Sequence, residues 1–135
     1  MIYVLDTNIF LRVLINEEEK SFQASLGLLK EIKQKKHTAL VPDIVLSEIV
    51  WTLKSYYGFP KPKIIEAVQS ILNLRGVEII DGYNYRTAFS LFKENNVKYI
   101  NACIASLPVL QNGKAIVVSY DHDFDKLGIS RQEPK

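Results

Sequence analysis

Four short apolar runs punctuate the chain at wide intervals: Ile2-Tyr3-Val4-Leu5, Thr38-Ala39-Leu40-Val41, Val77-Glu78-Ile79-Ile80 and Ala115-Ile116-Val117-Val118. Each is rich in β-branched or aromatic side chains and stops abruptly, at Asp6, Pro42, Asp81 and Ser119. Runs of this kind read as short strands covered on both faces. Helical spacing fills the intervals, and strands alternating with helices give a parallel sheet wrapped by helices. The expected fold class is therefore α/β, a parallel-sheet α/β/α sandwich. The chain has no internal repeat, linker or low-complexity stretch, so residues 1–135 are expected to form a single domain.

The helical stretches can be placed by their apolar spacing. Ile9, Phe10, Val13 and Leu14 share one face, with Thr7 or Asn8 suited to the N-cap. A second helix is expected from Ser21 to Lys35, burying Phe22, Leu26, Leu29 and Ile32. Its basic end, Lys33 to His37, complements a helix dipole and reads as a solvated terminus rather than an RNA patch. Pro42 opens a helix carrying Val45, Ile49, Val50 and Leu53 to about Tyr57, and Gly58-Phe59-Pro60-Lys61-Pro62 breaks it. Ile64, Ile65, Val68, Ile71 and Leu72 mark the next, ended by Gly76. A helix from Tyr83 to Glu94 and another from Tyr99–Asn101 follow, the latter ended or bent by Pro108. Trp51, Tyr56, Tyr57 and Phe59 are expected to pack into the core and linker rather than form a partner surface.

Composition narrows the function classes. Apolar residues make up 47% and charged residues 24%, enough for a core and a coat, which excludes a disordered chain. Seventeen Lys and Arg against 15 Asp and Glu give a net charge of +2, so bulk charge cannot carry nucleic-acid binding. The single cysteine, Cys103, can make no internal disulfide, and no Cys/His cluster exists to hold zinc. It reads as a buried, inert thiol. The N-terminus reaches Asp6 too soon for a signal peptide, and no apolar run approaches the ~20 residues a membrane helix needs. A soluble, cytoplasmic protein with no membrane contact is expected.

In a parallel sheet, ligands gather outside the carboxyl ends of the strands, where connections of opposite direction open a crevice. Asp6 follows the first run, Asp121 follows the last, and Asp123 stands two residues on. Glu48 lies about one and a half turns into the helix after the second run, bordering the apolar Val45, Ile49 and Val50. Converging acids in such a place need a cation, and no clustered arginines supply one. An oxygen-only donor set favours Mg²⁺ or Mn²⁺ over Zn²⁺. Such an ion orients water for in-line attack and stabilises charge on a phosphoryl oxygen.

Plainer roles compete at every position. Asp6-Thr7-Asn8 also suits a strand stop and helix cap, Glu48 a solvent-facing helix residue, and Asp121 to Asp125 a turn with an acidic helix start. His122, between two acids and with no second His to join it, reads as an exposed turn residue. It is the coincidence of three acids at strand ends that favours a site.

The stretches Tyr3-Val4-Leu5-Asp6-Thr7-Asn8, Pro42 through Ser47-Glu48-Ile49, and Ser119-Tyr120-Asp121-His122-Asp123-Phe124-Asp125-Lys126-Leu127 resemble the PIN domain family, specifically the small prokaryotic ribonucleases that act as VapC-type toxins. The resemblance spans nearly the whole chain. It implies a Mg²⁺- or Mn²⁺-dependent endoribonuclease that cleaves RNA phosphodiesters, in which Asp6, Glu48 and Asp121 match the acidic positions and Asp123 an accessory acid. Ser119 matches a small hydroxyl residue that helps place the metal-bound water or the phosphate. It also implies an antitoxin partner, whose extended or helical segment covers the acidic crevice with an Arg or Lys reaching the carboxylates, and a homodimer.

One position departs from the pattern. In Lys98-Tyr99-Ile100-Asn101-Ala102-Cys103-Ile104-Ala105 an Asp is usual where this chain has Asn101. An amide oxygen can ligate weakly but brings no charge. The pocket then offers at most four negative charges, three without Asp123, which suit one Mg²⁺ better than two. Two explanations stand: a natural variant with weakened activity or altered metal use, or an active-site substitution made to tolerate expression of a toxic nuclease. The alternative is a PIN-like module that binds RNA or protein without cutting. An aspartyl-nucleophile phosphatase ranks lower, because such enzymes want an Asp where Asn8 stands.

Overall fold

The apolar runs form strands of one parallel sheet in the computed structural model, which describes all residues from Met1 to Lys135. The strands are β1 (Ile2–Leu5), β2 (Thr38–Pro42), β3 (Val77–Ile80), β4 (Ile116–Val118) and β5 (Arg131–Gln132). Their order is β3-β2-β1-β4-β5, and every pairing is parallel. Val4, Leu5, Val41, Val117 and Val118 are fully buried, as strands covered on both faces must be. The fifth strand is an addition to the four expected: two residues, Arg131 and Gln132, carry no apolar signal and pair only because the chain returns beside β4.

The helices are α1 (Thr7–Ile15), α2 (Glu19–Lys33), α3 (Asp43–Ser55), α4 (Lys61–Leu72), α5 (Tyr85–Glu94), α6 (Tyr99–Ala105) and α7 (Pro108–Gln111). A 3-10 turn follows at His122–Lys126. From β1 the chain steps outward to β2 and β3, then crosses back to lay β4 and β5 on the other side of β1. Parallel crossovers are right-handed, so the reversal puts α1–α4 on one face of the sheet and α5–α7 on the other. It also makes the β1/β4 boundary the switch point, where the carboxyl ends part and a crevice opens.

Several local expectations are corrected by packing. The cap of α1 is Asp6, not Thr7 or Asn8; its side chain accepts from the Thr7 N–H. The face α2 buries is Ser21, Ser25, Leu28 and Ile32, while Phe22, Leu26 and Leu29 are only half-buried. Two small serines occupy the buried face, and the bulkier stripe is left at the rim. Pro108 ends α6 as expected, after about two turns: Leu107 before it is extended (ψ 129), the helix stops at Ser106, and the proline then opens the separate turn α7 at a position that needs no N–H. Tyr57 and Phe59 pack against the core as expected, but Trp51 and Tyr56 are 66% and 76% exposed. Trp51 lies on the face of α3 opposite the buried Val45, Ile49 and Leu53, and Tyr56 lies just past its end. Cys103 is a free, buried thiol whose pKa burial pushes up. No helix is long and apolar enough to cross a membrane.

Candidate active site

Asp6 sits where β1 ends and α1 begins, and its backbone N–H continues the ladder to Val118 of β4 at 3.1 Å. One carboxylate oxygen accepts the Thr7 N–H at 2.8 Å. The other accepts the Ser119 hydroxyl at 2.6 Å and, more weakly, the Asn8 side-chain amide at 3.4 Å. Ser119 immediately follows β4, so this bond spans the switch point. The same hydroxyl accepts the Asp121 N–H at 2.9 Å and the Asn8 amide at 3.3 Å. Ser119 is thus the clasp that joins the first acid to the segment bearing Asp121.

Asp121 caps the 3-10 turn by accepting the Asp123 N–H at 2.9 Å. Asn101, buried near the start of α6, extends one amide nitrogen to both acids, 2.9 Å from Asp121 Oδ2 and 3.1 Å from Asp123 Oδ2. Lys98, just before α6, adds its backbone N–H to Asp123 at 3.0 Å, and its ammonium lies 3.8 Å from Asp121. The structure therefore brings Asp6, Ser119, Asn101, Asp121 and Asp123 into one hydrogen-bonded network. Glu48 makes its contribution through charge: half-buried on α3, it raises the Asp6 pKa, as does Asp121.

Asp6 is 4% exposed. Desolvation lifts its pKa to about 6, opposed by the bonds from Ser119 and Thr7 and reinforced by repulsion from Glu48 and Asp121. A buried carboxylate facing two further acids is in want of a positive partner. The donor set at this edge is oxygen throughout, so the residues fit a hard divalent cation and not zinc. The acids nonetheless do not stand as a preset cage, because no group of three or more His, Cys, Asp or Glu side chains is close enough to share one ion. Each carboxylate of the network is turned toward a local N–H or O–H donor instead, and an ion has to compete with those bonds.

Three contributors are missing from the sequence reading. Asn8 bridges Asp6 and Ser119 and accepts the Tyr120 N–H at 3.3 Å; its place beside Asp6 is the available signal, and a helix cap is the plainer use of it. Lys98 is visible only as a neighbour of Asn101. Arg131 has no signal: it reaches from β5 to the Ser119 carbonyl at 2.9 Å and binds Asp125 through two nitrogens. Asp125, held below the usual carboxylate range by Arg131 and His122, belongs to this peripheral clamp. His122 is exposed, as expected, though it also joins the clamp. A cavity of 690 Å³ lies away from the acids, between α3 and α4.

The PIN domain family model matches residues 3–129. The chain belongs to the PIN domain family. A VapC ribonuclease of Aquifex aeolicus is 32% identical over 133 residues, covering 97% of this chain and 96% of that protein. In fold, this PIN domain is similar to a chain of VapBC2 from Rickettsia felis, solved bound to a DNA fragment from its promoter, with a TM-score of 0.71 at 19% identity and full coverage of both chains. A chain of VapBC-1 from nontypeable Haemophilus influenzae matches with a TM-score of 0.60 at 16% identity over 98% of each. Both likenesses show the PIN architecture, a parallel sheet flanked by helices.

Proposed function

We propose that this PIN domain is a metal-dependent endoribonuclease of the VapC type, the toxin of a toxin–antitoxin pair. The observation that carries the proposal is the buried Asp6 carboxyl, clasped by Ser119 across the β1/β4 switch point, within electrostatic reach of Glu48 and Asp121 and in no salt bridge with a Lys or Arg. The VapC ribonuclease relative gives that chemistry its substrate, RNA. Asp6, Glu48 and Asp121 would hold Mg²⁺ or Mn²⁺, which would supply Lewis acidity at a phosphoryl oxygen and a more acidic water. The chain's own residues do the rest. Ser119 fixes the Asp6 rotamer, Asn8 supports both, and Asn101 holds Asp121 and Asp123 at one edge.

RNA incubated with the purified chain and with Asn101→Asp, in Mg²⁺, Mn²⁺ or EDTA, provides the test. Cleavage that needs the divalent ion and is stronger in Asn101→Asp is expected. A folded Asn101→Asp that cuts no RNA in any divalent metal would remove the enzymatic reading. The second reading, a binding module that does not cut, is favoured by the Asn101 amide, which already satisfies two of the acids. Its mark is RNA or antitoxin binding that persists in EDTA with no cleavage after Asn101→Asp.

An antitoxin and a second copy of the chain complete the proposal, acting in the cytoplasm. The cavity between α3 and α4 is lined by Val50, Phe59, Ile64, Ile65, Val68 and Leu72 and edged by Lys54 and Lys61. An apolar groove with a basic edge fits an amphipathic antitoxin segment carrying acidic residues. Tyr85, Phe89 and Phe92 of α5 and Tyr99 of α6 are exposed on the opposite helical layer. Aromatic surface of this extent is costly in a monomer, and flanking Arg86, Lys93 and Glu94 give it charges of both signs, as a self-complementary dimer face requires.

A further inference from the structure

The place where the PIN pattern expects an Asp is filled by a group of opposite character. The Asn101 amide nitrogen points its two hydrogens at Asp121 Oδ2 and Asp123 Oδ2, 2.9 and 3.1 Å away. The amide has only one workable orientation, since turning it over would set its oxygen against two carboxylate oxygens. The same pair of oxygens receives the Lys98 backbone N–H, at 3.0 Å from Asp123, and the Lys98 ammonium, at 3.8 Å from Asp121. Positive ends of dipoles and one full charge thus converge between the two acids of the closing motif. At Asp6 the donors are all neutral: Thr7 N–H, the Ser119 hydroxyl and the Asn8 amide.

We propose that Asn101 and Lys98 together take the place of a second cation at this site, so that the chain binds a single divalent ion, at the Asp6 end. The inference rests on the acids being metal ligands, as proposed above. Charge supports it as well as geometry. Asp6, Glu48, Asp121 and Asp123 facing one ammonium and one divalent ion keep one negative charge in excess, whereas a second ion would turn the site positive before any phosphate arrived. An Asp at position 101 would remove both N–H donors and add a carboxylate where the amide now stands. Asn101 is here a positioning residue that decides metal stoichiometry.

Titration of the full chain with Mn²⁺, read by calorimetry and by the spin-resonance signal of free Mn²⁺, tests this without any reference to turnover. One ion is expected for this chain and two for Asn101→Asp. Asn101→Ala combined with Lys98→Met, which removes the amide and the ammonium together, should gain a second, weaker ion, and so keeps the test open if Asn101→Asp fails to fold. Lys98→Met should bind its ion about fivefold more tightly, the effect of deleting one partly solvated charge. Two ions in this chain, or no second ion in either Asn101 variant, would overturn the inference. RNA cleavage by the same preparations separates the two failures. Two ions in a chain that still cleaves RNA overturns the single-ion inference alone, whereas no Mn²⁺ bound by any variant, with no cleavage, overturns both.

Discussion

Burial places the Asp6 carboxyl under two opposed demands. As a helix cap it accepts the Thr7 N–H, which favours the ionised form; as a buried acid near Glu48 and Asp121 it is pushed to a pKa of about 6, from an ordinary 3.8. The folded state therefore holds the proton more tightly than the unfolded chain does. Relative stability is full below pH 3.8 and is lost as pH rises through about 6. By pH 7.5 the cost is on the order of 3 kcal/mol, since each tenfold gain in proton affinity on folding is worth about 1.4 kcal/mol. Asp6→Asn, which keeps an oxygen for the cap, should melt several degrees higher than the unsubstituted chain at pH 7.5 in EDTA. That advantage should vanish by pH 4, and RNA cleavage should be lost at both. Equal melting temperatures at pH 7.5 would contradict the burial account. The result expected is a functional residue kept at the expense of stability.

At the scale of elements, the connections matter more than the elements themselves. Gly76, between α4 and β3, has φ +90, and a Cβ there would lie 2.5 Å from the Ile32 carbonyl oxygen at the end of α2. Both the left-handed backbone and the contact with main chain exclude a side chain. Gly76→Ala should cost about 2–4 kcal/mol, read from urea unfolding, with the added clash taking it beyond the backbone strain alone. The sequence marks Gly76 as a helix stop but not as a contact, because the partner lies 44 residues away in the chain. The strands and their helices are legible because apolar periodicity is local. The face buried by α2 is not, because Ser21 and Ser25 carry no apolar signal and are buried by what packs against them from elsewhere in the chain. Strand β5 is invisible for the same kind of reason: its pairing with Val117 and Val118 is a tertiary event, fixed by Arg131 reaching Ser119 and Asp125.

For the whole molecule, two apolar surfaces lie on opposite helical layers, and each has its own expected occupant. A charge placed in the groove between α3 and α4, Ile65→Glu, should abolish co-purification with the proposed antitoxin while leaving the proposed dimer intact by light scattering. Phe89→Glu on α5 should do the reverse, giving a monomer that still binds the antitoxin. A single substitution that breaks both associations, with the fold preserved by circular dichroism, would mean the two surfaces are not independent. Neither surface is legible in the sequence. Trp51 and Tyr56 show why: an aromatic residue at helical spacing looks the same whether it meets a core or a partner, and these two, expected to pack inward, face outward.

What the amino-acid sequence determined by itself was the alternation of buried strands and helices, the parallel sheet that follows from it, and the acids that close the strands. These depend on local patterns and on one general rule, that crossovers turn right-handed. Only the tertiary structure decided what those acids meet. Ser119 reaches Asp6 from 113 positions away, and Asn101 and Lys98 reach Asp121 and Asp123 from another helix and its entry. Hydrogen bonds at such separations have no signature along the chain, because they are set by where the sheet reverses direction and how closely α6 packs beside the 3-10 turn.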